Sequence, residues 1–132
     1  MGASETNTQQ AAAEPKTKGR QPNRTEAEYG LMLKSKYPEA DVRFEAYTLK
    51  LADGCRYTPD WDVEFPDGTL EFHEVKGRFI FSKALTKPKT AAELFPQRFT
   101  LAQKLASGWE ITPLRGKIDR KEKTLQTGRE RR

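Results

Sequence analysis

The sequence predicts a mixed α/β fold, and three observations point to it. Residues 23–38 repeat apolar positions at three- and four-residue spacing. Residues 42–77 alternate between two Asp-Gly pairs. Residues 82–105 read as a second helix leading into another alternating run. The predicted order is helix, three-stranded antiparallel meander, helix, strand, with the helices packed on a mixed sheet.

The first helix lies in "NRTEAEYGLMLKSKYP". Asn23 or Thr25 can cap its start, and the acidic first turn favours the positive end of the helix dipole. Tyr29, Met32 and Leu33 form one apolar stripe, and Pro38 ends the helix. In the meander, Asp53-Gly54 and Asp67-Gly68 suit tight hairpins because glycine tolerates positive φ. The first arm covers residues 42–51, with Phe44, Tyr47, Leu49 and Leu51 as apolar positions. The second sets Trp61, Val63 and Phe65 against Asp60, Asp62 and Glu64. The third sets Leu70, Phe72, Glu74 and Lys76 against Glu71, His73 and Val75.

Ser82 is a plausible cap for the second helix, and Pro88 implies a kink or a helix start nearby. Pro96 ends it. "QRFTLAQKL" alternates as a last strand; reached through a helix, it can pair in parallel. "GWEITPL" adds an edge segment.

Composition divides the chain. Of 132 residues, 35% are hydrophobic and 33% charged, with a mean hydropathy of −0.88. That implies one domain with a modest core and unfolded tails: residues 1–22 as a disordered N-terminal tail, 23–114 as the domain, and 115–132 as a basic, disordered C-terminal tail. The final 18 residues hold eight Lys/Arg and three Asp/Glu, which accounts for the whole net charge of +5. A tail of this kind attracts phosphates non-specifically or simply solubilises the chain. No apolar run is long enough to span a membrane, and the N-terminus lacks the apolar core of a signal peptide. A cytoplasmic protein is expected. Cys55 is the sole cysteine, which excludes an intrachain disulfide and a cysteine zinc cluster.

The chemistry gathers in the second and third arms. Glu74 and Lys76 are two apart on a strand, so they share a face, roughly 7 Å apart at Cα. Leu70 and Phe72 precede them on that face, which turns from apolar to charged toward Gly77. Pro59 cannot donate a ladder hydrogen bond and suggests a strand start or edge; Asp60 follows it. A tight turn at Asp67-Gly68 would set Glu74 near residue 61, and a longer turn or a bulge would bring Asp60 beside it. Two carboxylates at a strand end, a lysine one step on, and the backbone carbonyl of Val75 would suit a hard divalent cation such as Mg²⁺. On residue types alone, the plainer reading is a solvated sheet face with cross-strand ion pairs.

Pro59-Asp60 followed by Glu74-Val75-Lys76 resembles the motif of the PD-(D/E)XK nuclease superfamily. "YTPDW", "DGTLEFHEVKG" and "KTAAELFPQRF" resemble a family of small phage proteins of formerly unknown function assigned to that superfamily. The resemblance covers roughly residues 23–104. It implies a restriction-endonuclease-like core and metal-dependent hydrolysis of DNA phosphodiesters, on branched or recombination intermediates, in a host bacterial cytoplasm if the chain is phage-encoded. Asp60, Glu74 and the Val75 carbonyl would hold Mg²⁺, with Mn²⁺ as a substitute. Glu26, preferred over Glu28 from its place in "NRTEAEY", would be a further ligand or support a bound water. Lys76 would orient or activate the attacking water. A homodimer would supply two cuts.

Other residues are expected to be plainer. Asp62 and Glu64 should point outward, His73 should pack or hydrogen-bond on the opposite face, and Cys55 should sit in a strand without chemistry. Trp61 and Trp109 should pack. Lys83, Lys87 and Lys89 would contact phosphates or form a solvated face. The rival functions are a catalytically silent nucleic-acid-binding or assembly factor on the same scaffold, and an RNA-directed nuclease.

Overall fold

The computed structural model describes residues 13–15 and 19–114. The expected phosphate-attracting C-terminal tail lies outside the described residues. The architecture is mixed α/β: two helices, a five-stranded mixed sheet and a small three-stranded sheet. No described helix is long and apolar enough to cross a membrane.

Helix α1 spans Arg24–Lys36 and is capped by Asn23. The Asn23 side chain accepts from the Glu26 amide at 2.8 Å, and the Glu26 carboxylate accepts from the Asn23 amide at 2.9 Å. This reciprocal capping box satisfies two otherwise orphaned donors. It also fixes where Glu26 lies.

The first arm of the meander is not one strand. Ahead of it, β1 is Ala13–Pro15, inside the segment expected to be disordered. The arm itself divides into β2, Asp41–Phe44, and β3, Tyr47–Lys50, which enter different sheets. Glu45 makes the break with a left-handed φ of 49°. For a residue with a side chain that conformation costs of order 1 kcal/mol or more, so the surroundings must hold it. Asp53-Gly54 does turn a hairpin, in a 3₁₀ turn, Ala52–Gly54, but the strand it joins to β3 is the short β4, Arg56–Tyr57, rather than the second arm. Positive φ at both Asp53 and Gly54 explains the residue choice. The small sheet runs β1-β3-β4.

Strand β5 is Trp61–Glu64 and β6 is Leu70–Lys76. They pair antiparallel, as expected. After a 3₁₀ turn, Ser82–Leu85, α2 covers Thr86–Leu94, with Pro88 in its first turn where proline is tolerated. Strand β7, Arg98–Leu105, pairs in parallel with β6, and β8, Gly108–Pro113, lines the edge. The large sheet therefore runs β2-β5-β6-β7-β8, and β2, β5 and β6 keep the expected antiparallel trio.

Each face of the sheet has its own core. Under α1, Tyr29 and Leu33 pack with Trp61, Val63, Val75 and Ala102. On the other face, Ala91 of α2 and Tyr47, Leu49 and Tyr57 of the small sheet cover Leu70, Phe72 and Phe99. Each large apolar side chain buried this way contributes about 1.5–3 kcal/mol. The Trp61 indole lies flush on α1 at Gly30, where an added Cβ would fall 2.2 Å from the ring. Its Nε1 donates to the Glu26 carbonyl at 2.9 Å.

Candidate functional site

Register decides where Asp60 falls. The β5–β6 ladder pairs Glu64 with Leu70 and Trp61 with His73. The turn is longer than two residues, because the Phe65 amide donates to the Thr69 carbonyl at 2.8 Å. Continuing that register sets Asp60 opposite Glu74, one step past the last ladder pair. There the Asp60 carboxylate accepts from the Val75 amide at 2.7 Å. A residue's N–H and C=O project to the same edge of a strand. The Val75 carbonyl therefore projects toward the Asp60 side as well.

Glu74 is held at both oxygens. Tyr57 donates a short hydrogen bond to Oε1, and Lys76 Nζ lies 2.8 Å from Oε2. Burial pushes the Tyr57 hydroxyl well up, with the Glu74 charge adding to it, so it stays a donor. Burial and then the Glu74 charge push the Asp60 carboxyl up to about 7. Two buried carboxylates side by side repel, and a nearby cation would relieve both.

Glu26 reaches the group through Arg20. The guanidinium lies 2.8 Å from Glu26, 3.0 Å from Glu45 and 3.8 Å from Asp60. The bond to Arg20 holds the Glu26 carboxyl below its usual range, against the opposing effect of burial. The Glu45 amide donates to the Asp60 carbonyl at 2.8 Å, so the left-handed residue supports the Asp60 backbone. Glu28 faces away and pairs with Lys104 at 3.1 Å.

The structure thus gathers Asp60, Glu74, Val75 and Lys76 directly, and Glu26 through Arg20. It corrects Asp62: this residue is only 2% exposed. Its carboxylate faces the Phe72 side of the sheet, where Arg43 clamps it at 3.0 Å together with Glu64 at 2.7 Å. Burying a carboxylate beside Phe72 requires such a partner. Cys55 lies exposed in the link before β4 rather than in a strand.

His73 is buried. Tyr29 bonds its Nδ1 at 2.8 Å and Glu71 its Nε2 at 3.2 Å. Both ring nitrogens are occupied, so it acts as a packing group beside a cavity of about 230 Å³ under α1. Trp61 is buried, and Trp109 packs on Tyr29 with ring centroids 5.0 Å apart. Lys83, Lys87 and Lys89 are exposed.

Sequence reasoning missed Arg20, Glu45 and Tyr57. Arg20 stood in a segment expected to be disordered. Tyr57, three residues before Asp60 in "YTPD", carried the only local signal.

No protein-family model, curated protein or solved structure matches the chain. The site's own geometry carries the functional reading.

Whether a divalent cation fits is tested by the donor set. Among the described residues, no three His, Cys, Asp or Glu side chains converge into a cage of their own. Mg²⁺ does not require one: it binds through one or two carboxylates and keeps several waters. Asp60, Glu74 and the Val75 carbonyl supply that kind of set. Arg20, seated among Glu26, Glu45 and Asp60, shows that the pocket favours positive charge.

Proposed function

We propose that the chain is a metal-dependent endonuclease that hydrolyses DNA phosphodiester bonds, on a restriction-endonuclease-like core with a PD-(D/E)XK-type site. The observation that carries this reading is the meeting of Asp60 and Glu74 at the end of the β5–β6 ladder, with the Val75 amide on one carboxylate and Lys76 on the other. Branched or recombination intermediates are the DNA substrates that the motif resemblance suggests.

Asp60, Glu74 and the Val75 carbonyl would hold Mg²⁺ or Mn²⁺. Such an ion, when bound, lowers the pKa of a coordinated water and polarises a phosphoryl oxygen. The chain's own residues do the rest. Tyr57 and Lys76 pin the two Glu74 oxygens, so the carboxylate is preorganised. Lys76 is only partly buried and supplies a fixed positive charge where negative charge grows on phosphate. Glu26, anchored by the capping box, holds Arg20 at the rim and would be a further ligand or support a bound water.

The test incubates the full chain with Mg²⁺ or Mn²⁺ and linear duplex, single-stranded, flap and four-way DNA, and with RNA. Asp60→Asn and Lys76→Ala run alongside, each expected to lower cutting by about 100-fold or more. Wild-type cutting no greater than that of these variants on every substrate would sink the reading.

One observation favours a second reading, a catalytically silent DNA-binding or assembly factor: Arg20 already places positive charge beside Glu26 and Asp60. Under that reading all variants bind DNA and none cuts. Light scattering at assay concentration decides whether a homodimer forms.

A further inference from the structure

Directly after Lys76, residues 77–81 leave the sheet as neither helix nor strand, with a bend at Arg78. Phe79 is 81% exposed and Phe81 79% exposed, while Ile80 between them is half-buried. This alternation turns both phenyl rings to the solvent side. Leaving two large apolar rings in water forgoes about 1.5–3 kcal/mol each, and adjacent exposed apolar groups mark interaction sites.

The segment is tied at both ends. Gln103, opposite Lys76 in the β6–β7 register, donates from Nε2 to the Arg78 carbonyl at 2.8 Å. The Ala84 amide donates to the Phe81 carbonyl at 2.8 Å. The rings are therefore presented on a short anchored span that begins at Lys76.

Charge identifies the occupant. Residues 75–92 contain Lys76, Arg78, Lys83, Lys87 and Lys89, and no Asp or Glu. The Arg78 guanidinium lies 5.7 Å from the centre of the Phe79 ring. An apolar partner surface would not need so basic a stretch of chain beside two rings, and a phosphate backbone alone would not need the rings. A single strand of nucleic acid offers both phosphates and free base faces. A paired duplex keeps its base faces stacked inside.

We propose that Phe79 and Phe81 are a stacking platform for unpaired DNA bases, with Arg78 and the three lysines contacting the adjacent phosphates. The platform deepens the nuclease reading, on which it rests for the role of Lys76: it delivers an unpaired stretch to that site, so the preferred substrates carry single-stranded segments.

Binding is measured apart from cutting, by fluorescence anisotropy in EDTA with full-length Asp60→Asn protein. The probes are a labelled oligothymidine, the same strand with abasic positions, a blunt duplex, and oligouridine of the same length. The platform predicts tighter binding to the base-bearing strand than to the abasic one. Replacing both rings (Phe79→Ala with Phe81→Ala) should weaken oligothymidine binding about 10-fold or more and leave abasic binding unchanged. Phe79→Tyr with Phe81→Tyr should restore it.

Equal losses on both strands, or no loss, would overturn the proposal, and tighter binding of oligouridine would overturn its assignment to DNA. Sedimentation of the alanine pair closes the remaining route: a dimer that becomes monomeric while DNA binding holds would make the rings a self-association face. If ring-dependent binding is found and the active chain cuts nothing, the platform stands and the nuclease reading falls.

Discussion

Burial, reinforced by Glu74, pushes the Asp60 carboxyl from 3.8 up to about 7, and this leaves a signature in stability. Between those two values the folded chain binds a proton at Asp60 that the unfolded chain has released. Stability of the metal-free protein therefore falls as pH rises from about 4 to 7, by up to about 1.4 kcal/mol per pH unit for one group. Asp60→Asn should make that decline shallower in urea titrations at pH 5, 6 and 7, the remainder coming from Asp62, whose buried carboxyl is also pushed up to about 7; an unchanged slope would show that Asp60 does not hold the proton. Glu26 acts in the opposite sense and lower down. Its depressed carboxyl contributes stability that is lost only as pH falls below its ordinary value. At this scale Glu74 and Lys76 were legible in the sequence, because strand alternation puts them on one face whatever the tertiary context. Asp60 depended on a turn length that alternation does not set. Arg20 was not legible, because it lies in a segment whose composition reads as disordered, and Tyr57 was not, because it meets Glu74 only once the small sheet has packed on the large one.

The helix and strand order was legible among the elements for the same local reasons: the Asn23 cap, the proline stops, the two periodicities. The split of the first arm was not. It turns on Glu45 adopting a left-handed φ, for which glutamate gives no sign, and on the Asp53-Gly54 turn feeding a separate sheet. Gly30 offers the sharpest test at this level. Alanine is the better helix former by about 1 kcal/mol, so propensity alone predicts that Gly30→Ala stabilises α1. The Cβ would instead strike the Trp61 ring at 2.2 Å. Overpacking of this kind costs about 1–3 kcal/mol, and net destabilisation is expected in thermal melts. Because Trp61 adjoins Asp60, the proposed metal site predicts a lower Mg²⁺ affinity by calorimetry as well. Gly30→Ala protein as stable as wild type would mean that the indole does not seat on the helix.

At the level of the whole molecule, charge is divided unevenly along the chain. Residues 1–114 carry equal numbers of acidic and basic side chains, and residues 115–132 carry the net +5. Ending the chain before Arg115 should weaken binding to duplex DNA and shallow its dependence on salt, since fewer counterions are released. Anisotropy at several salt concentrations checks this, and identical slopes for the two lengths would remove the tail from the interaction. The mixed α/β layering was legible from composition and patterning, whereas the two-sheet arrangement needed the long-range pairing of β1 and β3. Arg20 has one more consequence. A site that depends on a divalent cation for charge balance usually ties folding to the supply of that cation. Here Arg20 supplies positive charge from the polypeptide itself, so on the proposed metal site folding should not wait on the cation. On that reading the inorganic ion would decide when the molecule works, not whether it exists.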